Sequence, residues 1–262
     1  MVERATVRRS FSRAAQRYEA AASLQREVSD RLLEMLPLRR AECVLDLGCG
    51  TGFASAGLLA RYPGAQLLSA DFAPAMLSMH DGDSARQACV CADAHRLPFA
   101  DGAVDLIFSS LMLQWCDLPR VLAECARVLR PGGQLCFATV LNGTLCEIDA
   151  AFASADTHRH TVEFLELNEV IDALASAGMS EQACTRARRV EYFPDARSLL
   201  QSNRDIGASR VPDRGRRGVL GRAAWDGVCR RLESMRTSAG LPLTYEIVWI
   251  VAQGGKLAGA AR

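Results

Sequence analysis

The feature that most constrains the fold is a glycine-rich turn between a short apolar strand and a helix. The predicted strand is 43–47, and glycine then occupies every second position of residues 48–52, just after Asp46. Glycine lets the backbone turn tightly and approach a ligand closely. A dinucleotide-binding turn has the spacing G-x-G-x-x-G, whereas this turn has G-x-G-x-G. The order of strand, acid, turn and helix therefore indicates a ligand-binding turn of an α/β fold, and its spacing disfavours an NAD-dependent oxidoreductase.

Apolar strands alternate with helical patterns along most of the chain. This alternation predicts parallel βαβ units and a doubly wound sheet. Two later strands bring the total to seven in a mostly parallel sheet, with a helical insertion before the last. The expected strands are 43–47, 66–70, 88–92, 104–109, 134–140, 187–192 and 244–252. The expected helices are 10–36, 53–61, 73–79, 118–129 and 163–177.

The charge balance limits the partners and the location that we expect. Thirty-one basic and 30 acidic residues give a net charge of +1, which argues against a general nucleic-acid binder. No apolar run is long enough for a membrane helix, and no secretory signal is visible, so we expect a cytoplasmic protein without a membrane partner. All basic residues except Lys256 are arginine. Either codon usage explains this bias, or the arginines form clamps for carboxylate or phosphate.

The ten cysteines favour a reduced protein. Most of them lie in or beside apolar runs, where free cysteine behaves as a small hydrophobe. The tight pair Cys89 and Cys91 lies in a predicted strand, so its thiols point to opposite faces. We therefore expect structural thiols and no metal site.

Acidic residues follow the next two strands at the same edge of the sheet. Asp71 ends the second strand and Asp93 the third. Together with Asp46 and the glycine turn, they resemble the class I S-adenosylmethionine-dependent methyltransferases. The resemblance implies that Asp46 binds the methionine amino group of the cofactor, Asp71 its ribose, and Asp93 its adenine. The other residues implied at the cofactor are Gly48, Cys49, Gly50, Phe72, Met76, Ala94 and Ser109.

Motifs outside the cofactor turn give a narrower resemblance. They are Phe-Ser-Arg-Ala-Ala at 11–15, Leu-Gln-Trp at 113–115, Ile-Gly-Ala at 206–208 and Leu-Pro-Leu-Thr-Tyr at 241–245. This set is similar to the malonyl-acyl carrier protein O-methyltransferases, nearly end to end. The resemblance implies methyl transfer from S-adenosylmethionine to the free carboxylate of a malonyl thioester, on acyl carrier protein or coenzyme A. The methyl ester then primes pimelate assembly for biotin.

We expect one methyltransferase domain over residues 1–262, acting as a monomer. Within it we expect a helical cap, a cofactor-binding core, a helical lid and the last strand. Their expected ranges are 1–40, 41–192, 193–243 and 244–253.

The implied reaction needs orientation more than proton transfer. A carboxylate is already ionised near neutral pH, so no general base is required. The protein still has to place the carboxylate against the methyl group and to exclude water. We expect Gln114 to orient the acceptor, Trp115 to exclude solvent and Tyr18 to close over the site. Alternatively, Trp115 belongs to the core and Tyr18 is a half-buried aromatic side chain.

Recognition of an acidic carrier needs cations. Arginines are dense in the insertion, and we expect Arg204, Arg210, Arg216 and Arg217 to bind the substrate or carrier. The alternative is a solvated helix face or a flexible loop. His160 is either a substrate contact or a surface histidine. Two other functions stay open: a different methyltransferase on this fold, or a methyltransferase-like assembly factor or hydroxylase.

Overall fold

A computed structural model describes residues 22–37, 40–80, 85–153, 155, 160–205 and 221–254. The strands are β1 Cys43–Leu47, β2 Gln66–Asp71, β3 Gln87–Cys91, β4 Val104–Ser110, β5 Leu129–Val140, β6 Met179–Phe193 and β7 Leu241–Gly254. The helices are α1 Ser23–Glu34, α2 Ser55–Arg61, α3 Pro74–Leu77, α4 Leu118–Val128, α5 Cys146–Phe152, α6 Leu167–Ser176, α7 Ala196–Asp205 and α8 Arg222–Glu233, with a 3-10 turn at Leu113–Trp115.

The seven strands form one sheet in the order β3-β2-β1-β4-β5-β7-β6. Strands β1 to β5 are parallel, whereas β7 runs antiparallel between β5 and β6. The predicted doubly wound, mostly parallel seven-stranded sheet is confirmed. The carboxyl ends of β1 to β4 therefore meet at one edge, where ligands bind in open α/β sheets.

Helices cover both faces of the sheet and bury two hydrophobic clusters. One cluster joins α1 and α2 to the face that contains Phe108 and Trp249, and the other joins α4 and α6 to the face that contains Ile107. Strands buried on both faces have continuous apolar runs, and β1 and β4 show this pattern. The Trp249 indole donates to the Val28 carbonyl at 3.0 Å and fixes α1 on the sheet.

Several boundaries differ from the sequence-based expectation. Strand β5 begins at Leu129, so the Pro-Gly-Gly segment at 131–133 belongs to the strand and not to a loop. Helix α6 begins at Leu167, because Glu166 and Glu169 form a reciprocal capping box there. Strand β6 begins at Met179 and not at 187, and β7 begins at Leu241 and not at 244.

The helical insertion lies between β6 and β7, and its described part contains α7 and α8. Residues 1–21 of the expected cap and 206–220 of the expected lid lie outside the described residues. Within the described ranges, no helix has the length and apolar character that crossing a membrane requires.

Candidate active site

A cavity opens at the carboxyl ends of β1 to β4. About 800 Å³ of space lies between its walls when the solvent-open part is counted. Most of the residues expected at the cofactor line it. Its lining includes Gly48, Gly50, Asp71, Phe72, Met76, Asp93, Ala94 and Trp115.

Asp46 lies buried in β1, next to the cavity residues Leu47 and Gly48. It is 2% exposed, and its Oδ2 has no hydrogen-bond partner among the described residues. Burial, and then repulsion from Asp71, raises the pKa of Asp46 to about 8. A buried carboxylate without a partner is costly, so this position suits a cationic ligand group.

The glycine turn adopts a backbone that side chains disfavour. Gly48, Gly50 and Gly52 have φ of +74°, +54° and +93°. A Cβ on Gly48 would lie 2.3 Å from Cγ of Met112, so a larger residue would displace that side chain. Cys49 is buried and does not line the cavity, and its burial raises the pKa of its thiol.

Asp71 ties the end of β2 to the glycine turn. Its Oδ2 accepts from the Gly50 amide at 3.1 Å, and its Oδ1 accepts from the Ala73 amide at 2.8 Å. Burial raises the pKa of Asp71, and these hydrogen bonds oppose the increase. The carboxylate is thus held by the turn and also lines the cavity.

Two residues that the sequence analysis missed support the turn from outside the cavity. His80 Nε2 donates to the Gly50 carbonyl at 3.0 Å, and His80 Nδ1 accepts from Gln87 Nε2 at 3.0 Å. These partners fix the tautomer, because one is a carbonyl and the other an amide N–H. No local sequence signal marks His80 or Gln87, since the contact joins segments distant in the chain.

Asp93 is held by His95, which the sequence analysis also missed. Asp93 Oδ1 accepts from the His95 amide at 2.9 Å and from its Nδ1 at 2.7 Å. His95 Nε2 accepts from the Asp117 amide at 3.0 Å. The imidazole therefore joins the loop after β3 to the first turn of α4.

The expected cofactor contact at Ser109 requires a correction. Ser109 is fully buried, and its hydroxyl donates to the Leu47 carbonyl at 2.8 Å. The next residue, Ser110, lines the cavity, and its Oγ has no hydrogen-bond partner among the described residues. Neighbouring side chains of a strand point to opposite faces, so a one-residue displacement exchanges their surroundings.

Gln114 also differs from the expectation, whereas Trp115 lines the cavity. The Gln114 amide is engaged within the protein: its Nε2 donates to the Leu111 carbonyl at 2.7 Å, and its Oε1 accepts from Thr139 Oγ1 at 3.2 Å. The side chain borders a separate cavity between the 3-10 turn and β5. The Gln114 side chain thus does not line the cofactor cavity itself. Tyr18 lies outside the described residues.

The expected substrate residues are only partly described. His160 stacks on Phe152 with 3.7 Å between ring centroids, in a third cavity whose lining includes Asp149, Glu163 and Glu169. Acidic neighbours disfavour binding of a carboxylate there. The backbone of Arg204 lies in α7, and nothing is described of its side chain. Arg210, Arg216 and Arg217 lie outside the described residues.

In the described part of the chain, the cysteines and acidic residues form neither a disulfide nor a metal site. All ten cysteines are free thiols. Among the described residues, no group of three histidine, cysteine or acidic side chains is placed to hold a metal ion. The site is therefore a ligand-binding cavity. Polar side chains line it at several points, and the rest of its wall is apolar.

The sheet order and this cavity define a class I methyltransferase with a Rossmann-like fold. A family model described as "Methyltransferase domain" matches residues 45–137. The chain belongs to the malonyl-[acyl-carrier protein] O-methyltransferase family. The relative of that name from Herminiimonas arsenicoxydans is 40% identical over 245 residues, which cover 93% of this chain and 94% of that protein.

Two further comparisons agree in sequence and in fold. The "Biotin biosynthesis bifunctional protein BioHC" of Cellvibrio japonicus is 36% identical over 253 residues, covering 95% of this chain and 50% of that protein. The solved structure of geranyl diphosphate methyltransferase in complex with SAM is 17% identical and has a TM-score of 0.55. That match covers 87% of this chain and 85% of the other, and it shows a shared fold.

Proposed function

We propose that this protein transfers the methyl group of S-adenosylmethionine to the free carboxylate of a malonyl thioester on acyl carrier protein. The product is the malonyl methyl ester that primes pimelate assembly for biotin. Similarity to a malonyl-[acyl-carrier protein] O-methyltransferase over 93% of the chain is the observation that most supports this function. The relative named for biotin biosynthesis supports the same pathway.

Residues in and beside the cavity fit S-adenosylmethionine. Asp46 does not line the cavity but lies next to its residues Leu47 and Gly48, and its buried Oδ2 has no partner among the described residues, which suits the cationic methionine amino group. Asp71 and Asp93 lie at the ends of β2 and β3, where carboxylates suit the ribose hydroxyls and the adenine amine. When bound, the cofactor supplies an electrophilic methyl group on its sulfonium. The protein's part is to place that group and the acceptor together.

The acceptor side of the cavity combines an apolar wall with one hydroxyl. Leu111, Met112 and Trp115 line it and exclude water, which strengthens electrostatic interactions inside. The Ser110 hydroxyl, without a partner in the described chain, donates a hydrogen bond to a ligand oxygen. No residue has to remove a proton, because the attacking carboxylate is already ionised.

The carrier is bound outside this cavity. We assign its docking to arginines of the insertion, Arg204, Arg210, Arg216 and Arg217, because carrier proteins are acidic and cations steer their approach. The same acyl group on coenzyme A would be an alternative substrate that bypasses docking. The enzyme acts as a monomer in the cytoplasm, without nucleic acid or membrane.

The decisive experiment uses methyl-labelled S-adenosylmethionine and malonyl-carrier protein, followed by mass analysis. We expect the carrier-bound acyl group to gain one labelled methyl in place of a proton, and mild base to remove it as expected for an ester. Acetyl-carrier protein, which lacks the free carboxylate, should gain nothing. Absence of transfer to malonyl, succinyl and glutaryl thioesters would contradict the proposal and leave the fold assignment standing.

A further inference from the structure

The cavity wall contains a leucine with a left-handed backbone. Leu111 has φ of +51°, and the only other described non-glycine residue with positive φ is Leu145. This conformation brings Cβ too close to the following carbonyl oxygen and therefore costs free energy. Such a conformation persists only where surrounding contacts impose it, and it is typical of functional sites.

Hydrogen bonds from both sides impose the conformation of Leu111. Its amide donates to the Ala138 carbonyl of β5 at 2.9 Å. Its carbonyl accepts from Gln114 Nε2 at 2.7 Å, and Gln114 Oε1 accepts from the buried Thr139 at 3.2 Å. The amide of Gln114 thus connects the Leu111 carbonyl to β5, using one donor and one acceptor.

The turn at Leu111 determines what the cavity presents. Ser110 precedes it and Met112 follows it, and all three residues line the cavity. Met112 also packs on the α-carbon of Gly48, where a Cβ would lie 2.3 Å from the methionine Cγ. A change in the turn therefore alters the place of Ser110 in the cavity wall and the packing of the glycine turn.

We propose that Gln114 is a positioning residue that acts through the left-handed turn at Leu111. It does not touch the substrate; it holds the turn that places Ser110 in the cavity lining and seats Met112 against Gly48. The part of this inference that concerns the acceptor rests on the proposed methyl transfer. The part that concerns the cavity is independent of the acceptor.

Glycine at position 111 provides the test, because glycine adopts positive φ without the steric cost. Gln114→Ala is compared in the natural chain and in a Leu111→Gly background, by calorimetric binding of S-adenosylhomocysteine and by kcat on malonyl-carrier protein. In the natural chain we expect at least a tenfold loss in both readouts. In the Leu111→Gly background we expect Gln114→Ala to cost less than threefold.

A milder variant and a matched control complete the experiment. Thr139→Val removes the donor to Gln114 and should give a smaller loss with the same dependence on Leu111→Gly. If Gln114→Ala does not fold, Thr139→Val in the natural chain and in the Leu111→Gly background tests the proposal without it. The control is Gln182→Ala, which should change neither readout. Among the described residues, the Gln182 side chain on exposed β6 bonds only its neighbours Ser180 and Glu181.

Equal losses from Gln114→Ala in both backgrounds would overturn the proposal and indicate direct contact with a ligand. Unchanged binding and turnover in every variant would overturn it as well. Failure of the proposed reaction has a different signature: the natural chain forms no ester on malonyl-carrier protein. The coupling between positions 111 and 114 is then still measured by S-adenosylhomocysteine affinity.

Discussion

At the scale of the residue, Asp46 is a carboxylate whose surroundings favour its neutral form. Burial and the neighbouring Asp71 raise its pKa to about 8, from 3.8 in an unfolded chain. A raised pKa means that the folded state binds the proton more tightly than the unfolded state does. The contribution of Asp46 to stability is therefore fully present below about pH 4 and is lost as the pH rises toward 8. A cationic ligand group would reverse this preference and favour the carboxylate.

Replacement of this carboxylate should separate stability from binding. We expect Asp46→Asn to raise the melting temperature of the ligand-free protein at pH 7.5, by about 2–4 °C for each kcal/mol of relief. S-adenosylhomocysteine affinity should fall about ten- to a hundredfold, since a hydrogen bond to a charged group contributes about 1.5–3 kcal/mol. In the natural protein the affinity should increase from pH 6 to 8 as Asp46 ionises, and in Asp46→Asn this increase should disappear. The control is Asp172→Asn, which removes an exposed carboxylate on α6. A lower melting temperature in Asp46→Asn, with no change in the control, would contradict the argument.

The positions of single residues were predictable where a strand end fixes them, and not where side-chain orientation decides. Asp71 ends β2 and Asp93 follows β3, and both line the cavity. Ser109 and Ser110 have the same chemistry, and the sequence does not reveal which faces the ligand. Their exposure depends on the register of β4, which shifts between Val104 and Leu106, and on the left-handed Leu111.

At the scale of elements, His95 connects the loop after β3 to α4. Its ring accepts from the Asp117 amide and donates to Asp93, and its side chain is only 7% exposed. Losing the ring leaves a partly buried amide without its partner, at a cost of about 1–3 kcal/mol. We expect His95→Ala to lower stability by that amount and S-adenosylhomocysteine affinity about tenfold, measured by denaturant unfolding and calorimetry. His95→Gln should retain part of the stability and part of the affinity. Equal effects from Arg96→Ala, at the exposed neighbouring residue, would contradict the role of His95 in joining the loop to α4.

Elements were predicted best where both faces of a strand are buried. The apolar runs of β1 and β4 identify them, because parallel strands inside the sheet contact helices on each side. Strand β6 was only partly predicted: it lies at the sheet edge, and most of its side chains between Ser180 and Arg189 are exposed. Without a buried face, no apolar alternation marks its first half. Its pairing with β7, which the local sequence does not encode, determines its length.

At the scale of the whole molecule, the neutral total charge hides an uneven distribution. The chain has a net charge of +1, yet its sequence concentrates arginines in the insertion, at Arg210, Arg214, Arg216, Arg217 and Arg222. The sheet does not require this segment, since β6 and β7 pair with each other at either end of it. We assign the docking of the acidic carrier to this run of arginines.

Charge reversal tests that assignment. We expect Arg216→Glu with Arg217→Glu to lower kcat/KM on malonyl-carrier protein about tenfold or more, because repulsion slows the approach of an acidic partner. Turnover of malonyl-coenzyme A should stay within about twofold, and the wild-type rate on the carrier should fall with added salt more steeply than that of the variant. The control reverses Arg31 and Arg120, two exposed arginines on α1 and α4, with the same change in net charge. Equal losses on carrier and coenzyme A substrates would place these arginines in the acyl site and contradict the assignment. Equal losses in the control variant would show that the total charge, and not this segment, causes the effect.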